Sequence, residues 1–159
     1  MASLDDELGA FLGTYYARFS AADYDGMLQL WDRDEPAPIY VAEEGDPFVG
    51  WPAIEGYFAN NRRVLAALKV RTWNLQTRQP VPDLAIAFYE MHWNAKTTGA
   101  LGHQLMAGFN RVSALLRRKP AGWRLFHYIE APLASPVYAR RVARFAVDPD
   151  FAVAHAPKS

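Results

Sequence analysis

Two stretches of this sequence hold most of the side chains able to do chemistry. In Gly122 to Ala131, His127 follows Trp123 by four residues and Leu125 by two, so strict strand alternation predicts its imidazole on their face. An imidazole titrates near neutrality and gives or takes a proton, which suits an acid/base or substrate-orienting role. In Leu84 to Trp93, Glu90 and His92 share one face of an otherwise apolar strand. A carboxylate in dry surroundings is driven towards its protonated form, which suits a general acid or base. Glu90 and His92 are therefore the expected partners of His127 in abstracting a proton beside a carbonyl. Plainer readings stand beside these: a buried histidine satisfied by one hydrogen bond, and a Glu90 paired across the sheet with Arg111 or another cation.

Other chemistries lack their residues. His92 and His103 fall near opposite ends of a predicted hairpin, but no His-x-x-x-His or carboxylate cluster completes a ligand set, so no metal is expected. No cofactor is expected either, because no glycine-rich loop precedes a helix and no Gly-x-Ser-x-Gly elbow occurs. The absence of cysteine removes thiolate chemistry and disulfides and fits a reducing compartment. Seventeen basic residues balance seventeen acidic ones, which leaves no overall field for nucleic acid or anionic lipid. Arg117-Arg118-Lys119 and Arg140-Arg141-Arg144 read as solvated runs on a turn and a helix face. The acidic start Met1 to Glu7 does not read as a secretory signal, and no apolar run reaches the roughly 20 residues of a membrane helix. A soluble cytoplasmic protein with no membrane and no nucleic-acid partner is the expectation.

These side chains need a scaffold. With 159 residues, 51% of them apolar, the chain suffices for one core, predicted as a single domain over 1–146 followed by a loose tail over 147–159. Leu4, Leu8, Phe11, Leu12, Tyr15 and Phe19 recur at helical spacing. Asp23 is placed to cap a second helix that carries Tyr24, Met27, Leu28 and Trp31 inward. Pro38 to Ala42 and Phe48 to Gly50 flank the turn residues Glu44-Gly45-Asp46-Pro47 and read as a small hairpin. Pro52 suits the opening of a third helix whose stripe Ile54, Tyr57, Phe58, Val64, Leu65 and Leu68 runs to about Lys69. Val70–Gln79, Leu84–Lys96, His103–Lys119 and Gly122–Ala131 then predict a four-stranded antiparallel meander. Ser135-Pro136 can open a last short helix bearing Tyr138, Val142 and Phe145.

In Leu84 to Trp93 both alternating sets are largely apolar, so both faces of the sheet are expected to be covered. Three helices cover one face. The other, assigned Tyr89, Met91 and Trp93, is expected to meet a second subunit in a homodimer, unless the C-terminal helix folds back over it.

Three local patterns carry a resemblance. They are Phe19-Ser20-Ala21-Ala22-Asp23-Tyr24 leading to Trp31, Gly50-Trp51-Pro52-Ala53-Ile54-Glu55-Gly56-Tyr57-Phe58, and Arg117-Arg118 to Gly122-Trp123-Arg124-Leu125-Phe126-His127. In this order, over about residues 8–131, the sequence resembles the SnoaL-like branch of the NTF2-like superfamily. The resemblance implies an α+β cystatin-like cone: three N-terminal helices packed on a curved, mainly antiparallel sheet, plus a short C-terminal helix, with a pocket between sheet and helices. Many members carry a second histidine two residues after the first, where this sequence has Ile129 followed by Glu130. The superfamily mixes enzymes, carriers and assembly domains, so the likeness implies fold and pocket rather than reaction.

Tyr15, Trp31, Tyr57 and Phe58 are the predicted pocket walls, with core filling as the alternative. The leading functional expectation is a pocket for a small apolar ligand, serving a metal-free isomerase, cyclase or dehydratase that works by proton transfer. The rival is a non-catalytic dimeric binding or assembly domain.

Overall fold

The computed structural model describes residues 2–43 and 45–133. Helix α1 spans Leu4–Ser20, α2 Tyr24–Leu28 and α3 Trp51–Val64, with a hairpin of β1 (Ile39–Val41) and β2 (Phe48–Val49) between the second and third. Four long strands follow: β3 Leu65–Val81, β4 Leu84–Thr97, β5 Leu105–Lys119 and β6 Gly122–Pro132. They form one curved six-stranded sheet in the order β2-β1-β6-β5-β4-β3. Its pairs are antiparallel except for β1 beside β6, which is parallel. This is the α+β cone implied by the resemblance. The predicted C-terminal helix and tail lie outside the described residues.

Local chemistry explains the helix boundaries. Ser3 and Asp6 form a reciprocal capping box at the start of α1, which satisfies amides that have no partner within the helix. Asp23 caps α2 by accepting from the Gly26 amide at 3.0 Å. A Cβ on Gly26 would sit 2.1 Å from the Asp23 carboxylate, so a larger residue there would have to displace the capping side chain. Helix α2 ends at Leu28, short of Trp31. Trp31 instead makes a parallel bridge to Leu125, with Leu125 N donating to Leu30 O at 2.9 Å and Asp32 N to Leu125 O at 2.7 Å.

Two predicted boundaries need correcting. Helix α3 stops at Val64 rather than near Lys69, and Leu65 adopts extended geometry at φ −105°, ψ 121°. Val64-Leu65-Ala66-Ala67-Leu68 fits either period. Pairing with β4 decides for the strand, since Leu65 stands opposite Thr97 while Thr98 donates to the Val64 and Arg63 carbonyls. His103 likewise precedes β5, which begins at Leu105.

The core lies between the helices and the concave face of the sheet. Leu8, Leu12, Tyr15, Tyr16 and Phe19 of α1 and Ile54 and Phe58 of α3 are buried against Ala85, Ala87, Val112, Ala114 and Leu125. The small alanines leave room for large rings above them. Burying each large apolar side chain contributes about 1.5–3 kcal/mol.

The faces of β4 are the reverse of the reading that gave Tyr89, Met91 and Trp93 to the outer surface. Tyr89 and Met91 are buried beneath the helices and Trp93 lines the cavity. The outward set is Phe88, Glu90 and His92. Both sets are apolar enough that alternation alone does not say which one the helices choose.

The basic run Arg117-Arg118-Lys119 is also not merely solvated. Arg117 pairs with buried Asp32 (2.5 Å) and with Glu35 (3.2 Å), Lys119 with Asp32 (3.0 Å) and Asp34 (2.9 Å), and Arg118 with Glu7. Burial alone would raise the Asp32 carboxyl, but hydrogen bonds from Lys119 and Arg117 outweigh it and hold the group below the usual range. The cluster fastens the segment after α2 to the end of the β5–β6 hairpin.

Candidate binding chamber and acid/base centre

A cavity of about 480 Å³ opens between α3, the β1–β2 hairpin and the concave face of β3 and β4, a size suited to a small organic molecule. Leu65, Leu68 and Val70 of β3 and Met91 and Trp93 of β4 make one apolar side, facing Tyr57 and Val64 of α3 and Phe48 of the hairpin. Asn60 and Asn61 supply amides, and two carboxylates, Glu43 and Glu130, also reach the wall.

Glu130 reaches the chamber because β6 carries a bulge. Leu116 stands opposite Leu125 and Leu115 opposite His127, so Phe126 has no partner on β5. The extra residue reverses the alternation of everything after it. Trp123 and Leu125 point inward before the bulge, and Tyr128 and Glu130 point inward after it. His127 turns outward, opposite Leu115, in contrast to the strict alternation that put it with Trp123 and Leu125. It is half-buried there, and that burial pushes its imidazole pKa down.

The Glu130 carboxylate is held from three sides. Tyr128 donates to Oε1 at 2.8 Å, Tyr40 to the same oxygen at 3.4 Å, and Asn110 Nδ2 to Oε2 at 2.6 Å. The rings of Tyr40 and Tyr128 stack at 4.9 Å and 4°, which follows from their side-by-side register on β1 and β6. Behind them, the Tyr16 hydroxyl lies 2.8 Å from those of both Tyr89 and Tyr128. A hydroxyl has one proton to donate. With the proton of Tyr128 given to Glu130, the chain runs Tyr89 to Tyr16 to Tyr128 to Glu130. Burial, joined by the negative charge of Glu130, pushes the Tyr16, Tyr40 and Tyr128 phenols well above their ordinary pKa. They stay neutral near pH 7 and serve as donors.

Donors aimed at a carboxylate favour its charged form, so the arrangement suits a base facing an apolar chamber, with neutral phenols behind it able to follow a change in its protonation. The second carboxylate, Glu43, accepts from Trp93 Nε1 at 3.3 Å.

The residues singled out from sequence are dispersed. Of the four expected wall aromatics, Tyr57 lines the chamber, whereas Tyr15, Trp31 and Phe58 are each only 1% exposed and fill the core behind it. Glu90 lies on the outer face, where it accepts from Asn74 Nδ2 at 2.6 Å and stands in register with Arg111. His92 is on the same face, stacked on Phe109 at 4.3 Å and 12°. His127, Glu90 and His92 therefore share the convex surface and do not meet in the chamber. Among the described residues, no three His, Asp or Glu side chains converge as a metal site. Sequence reasoning missed Glu130, Tyr128, Tyr40, Asn110 and Glu43. The available signal was the two-residue spacing of Tyr128 and Glu130, masked by the bulge just before them.

Comparisons with known proteins agree with this fold. The SnoaL-like domain profile matches residues 9–135. A search of curated protein sequences finds no significant match. Among solved structures, a candidate dehydratase of the NTF2-like family from Streptomyces avermitilis is similar at TM-score 0.71 and 13% identity, covering 81% of this chain and 96% of that one. An uncharacterised protein with a cystatin-like fold from Caulobacter vibrioides is similar at TM-score 0.66 and 16% identity, over 89% and 97% of the two chains. A type 2 hexachlorocyclohexane dehydrochlorinase is similar at TM-score 0.67 and 8% identity, over 80% and 84%. At these identities the likeness speaks for the fold alone.

Proposed function

The chain belongs to the SnoaL-like domain family, and we propose that it binds a small, largely apolar carbonyl compound in the chamber and acts on it by proton transfer at Glu130. The reaction class is that of an isomerase, cyclase or dehydratase. One observation carries the reading: a carboxylate held by Tyr128, Tyr40 and Asn110 on the wall of an apolar cavity. The donors fix the orientation of the carboxylate, and the apolar walls strengthen its interaction with a developing charge. Similarity to a candidate dehydratase and a dehydrochlorinase fits such chemistry, and the cysteine-free composition suits the cytoplasm.

The test measures solvent deuterium uptake at carbon. Ketones sized to the chamber are incubated with the protein in D2O and followed by proton NMR. Wild type should accelerate exchange beside the carbonyl, and Glu130→Gln should lose at least about a hundredfold of that rate, the usual span of general-base catalysis. Equal rates in the two proteins would remove Glu130 from the chemistry.

A second reading, pairing of two copies through the convex face, is favoured by Phe88, Phe109 and Trp73, which are 43%, 50% and 38% exposed. Trp73 and Phe109 meet edge to face at 6.3 Å, so the apolar surface is contiguous. Sedimentation should give a dimer that Phe109→Glu dissociates; a wild-type monomer at all concentrations would end this reading.

A further inference from the structure

We propose that Asn61 reads the ligand of the chamber, gripping a carbonyl oxygen with its amide N–H and a hydroxyl or N–H beside that carbonyl with its amide oxygen. This deepens the reading above and rests on its carbonyl ligand. Asn61 lies in the last turn of α3, seven residues after Ile54, four after Tyr57 and three after Phe58. Helical spacing therefore turns it inward with those side chains. It is 6% exposed and stands on the cavity wall. Its backbone carbonyl accepts from the Leu65 amide, but among the described residues its side chain has no hydrogen-bond partner.

Other polar groups of the lining already have partners. Asn60 Oδ1 accepts from Arg63 at 2.8 Å, the Thr97 hydroxyl accepts from the Gln104 amide at 2.7 Å, and Trp93 Nε1 donates to Glu43 at 3.3 Å. A ligand that drives water off this wall costs Asn61 its hydrogen bonds to water, so it binds well only by replacing them. Whichever way the amide is turned, it presents a donor end beside an acceptor end. Its complement is a group with an acceptor and a donor side by side, as in a lactam or an α-hydroxy ketone. The donor end also serves the chemistry. As Glu130 takes a proton from the carbon beside the carbonyl, the C–H electron pair forms a C=C bond and the carbonyl pair moves onto oxygen. The Asn61 amide N–H donates to that oxygen as its charge grows. Asn61 on α3 and Glu130 on β6 line the same chamber.

Three bicyclic probes of one shape separate hydrogen bonding from fit: dihydrocarbostyril, a lactam with N–H beside its carbonyl; β-tetralone, with the carbonyl alone; and tetralin, with neither. Calorimetric titration of the full chain reads affinity, and proton NMR in D2O reads deuterium uptake by β-tetralone. Asn61→Leu keeps the shape of the side chain and removes both polar ends. It should weaken dihydrocarbostyril at least about tenfold relative to tetralin, a difference of about 1.4 kcal/mol, and β-tetralone by a smaller factor. Deuterium uptake should slow at least about a hundredfold, the effect of one lost oxyanion donor. Asn61→Ala should shift the affinity ratio in the same direction, and retained tetralin binding shows that each variant is folded. If the ratio of lactam to tetralin affinity is the same in wild type and both variants, the inference fails and the chamber stands. If wild type catalyses no exchange yet the ratio falls in Asn61→Leu, the grip of Asn61 is upheld and proton transfer at Glu130 is refuted. Absence of binding by all three probes would overturn the inference and the pocket together.

Discussion

Replacing Asp32 by Asn removes one charge from a buried carboxylate without changing its size. Asp32 is 2% exposed and accepts from Arg117 at 2.5 Å and Lys119 at 3.0 Å. Hydrogen bonds to charged partners contribute about 1.5–3 kcal/mol each, so losing both outright would cost about 3–6 kcal/mol. The cations soften that loss, since their side chains are 34% and 26% exposed and keep Glu35 and Asp34 as partners. Water and these carboxylates compensate in part, and an expected destabilisation of about 2–3 kcal/mol remains. For a chain of this length that lowers the melting temperature by about 4–12 °C. Urea and thermal melts followed by circular dichroism read both quantities. The pH dependence adds a sign. The folded Asp32 pKa lies below its ordinary value, so its contribution is complete above the unfolded pKa of about 4 and disappears as pH falls through the lower folded value. The gap between wild type and Asp32→Asn should be full near neutrality and close in that acidic range. A difference under about 1 kcal/mol at neutral pH, or one equally large in acid, would refute the argument.

Two further outcomes follow from the sheet. Gly108→Ala would place a Cβ 2.7 Å from the Trp93 ring, so Trp93 should shift into the chamber, with a loss of about 1–3 kcal/mol and altered tryptophan emission; an unperturbed spectrum and unchanged stability would contradict the packing. His127 has its pKa lowered by burial, so the unfolded chain binds the proton more readily, and folding loses stability as pH drops below about 6.5. His127→Gln should flatten that part of the stability profile, and an identical profile in the variant would show that the imidazole is not desolvated.

Tyr57 was legible as a chamber wall because α3 is strongly periodic and a helical stripe faces one way. Tyr15, Trp31 and Phe58 were legible as inward-facing, but whether an inward ring fills or lines depends on what stands opposite it. Tyr15 meets Tyr16 and Tyr128, and Phe58 meets Phe19, Tyr24 and Tyr40. Apart from Tyr16, which shares α1 with Tyr15, those neighbours come from other elements, and no local spacing encodes them. Likewise, Asp32 and Glu35 read as helix-ending charges until Arg117 and Lys119, more than eighty positions later, supply their partners.

Element order, the cap at Asp23, the turns and the strand-rich second half are properties of neighbouring residues and could be read along the chain, and with them the α+β class. The choice of buried face, the end of α3 at Val64 and the residue presented to the chamber were decided by tertiary structure. One unpaired Phe126 exchanges His127 for Glu130 at the inner surface. Whether a strand accommodates such an extra residue is settled by its pairing with β5, a contact between segments that periodicity within β6 does not contain.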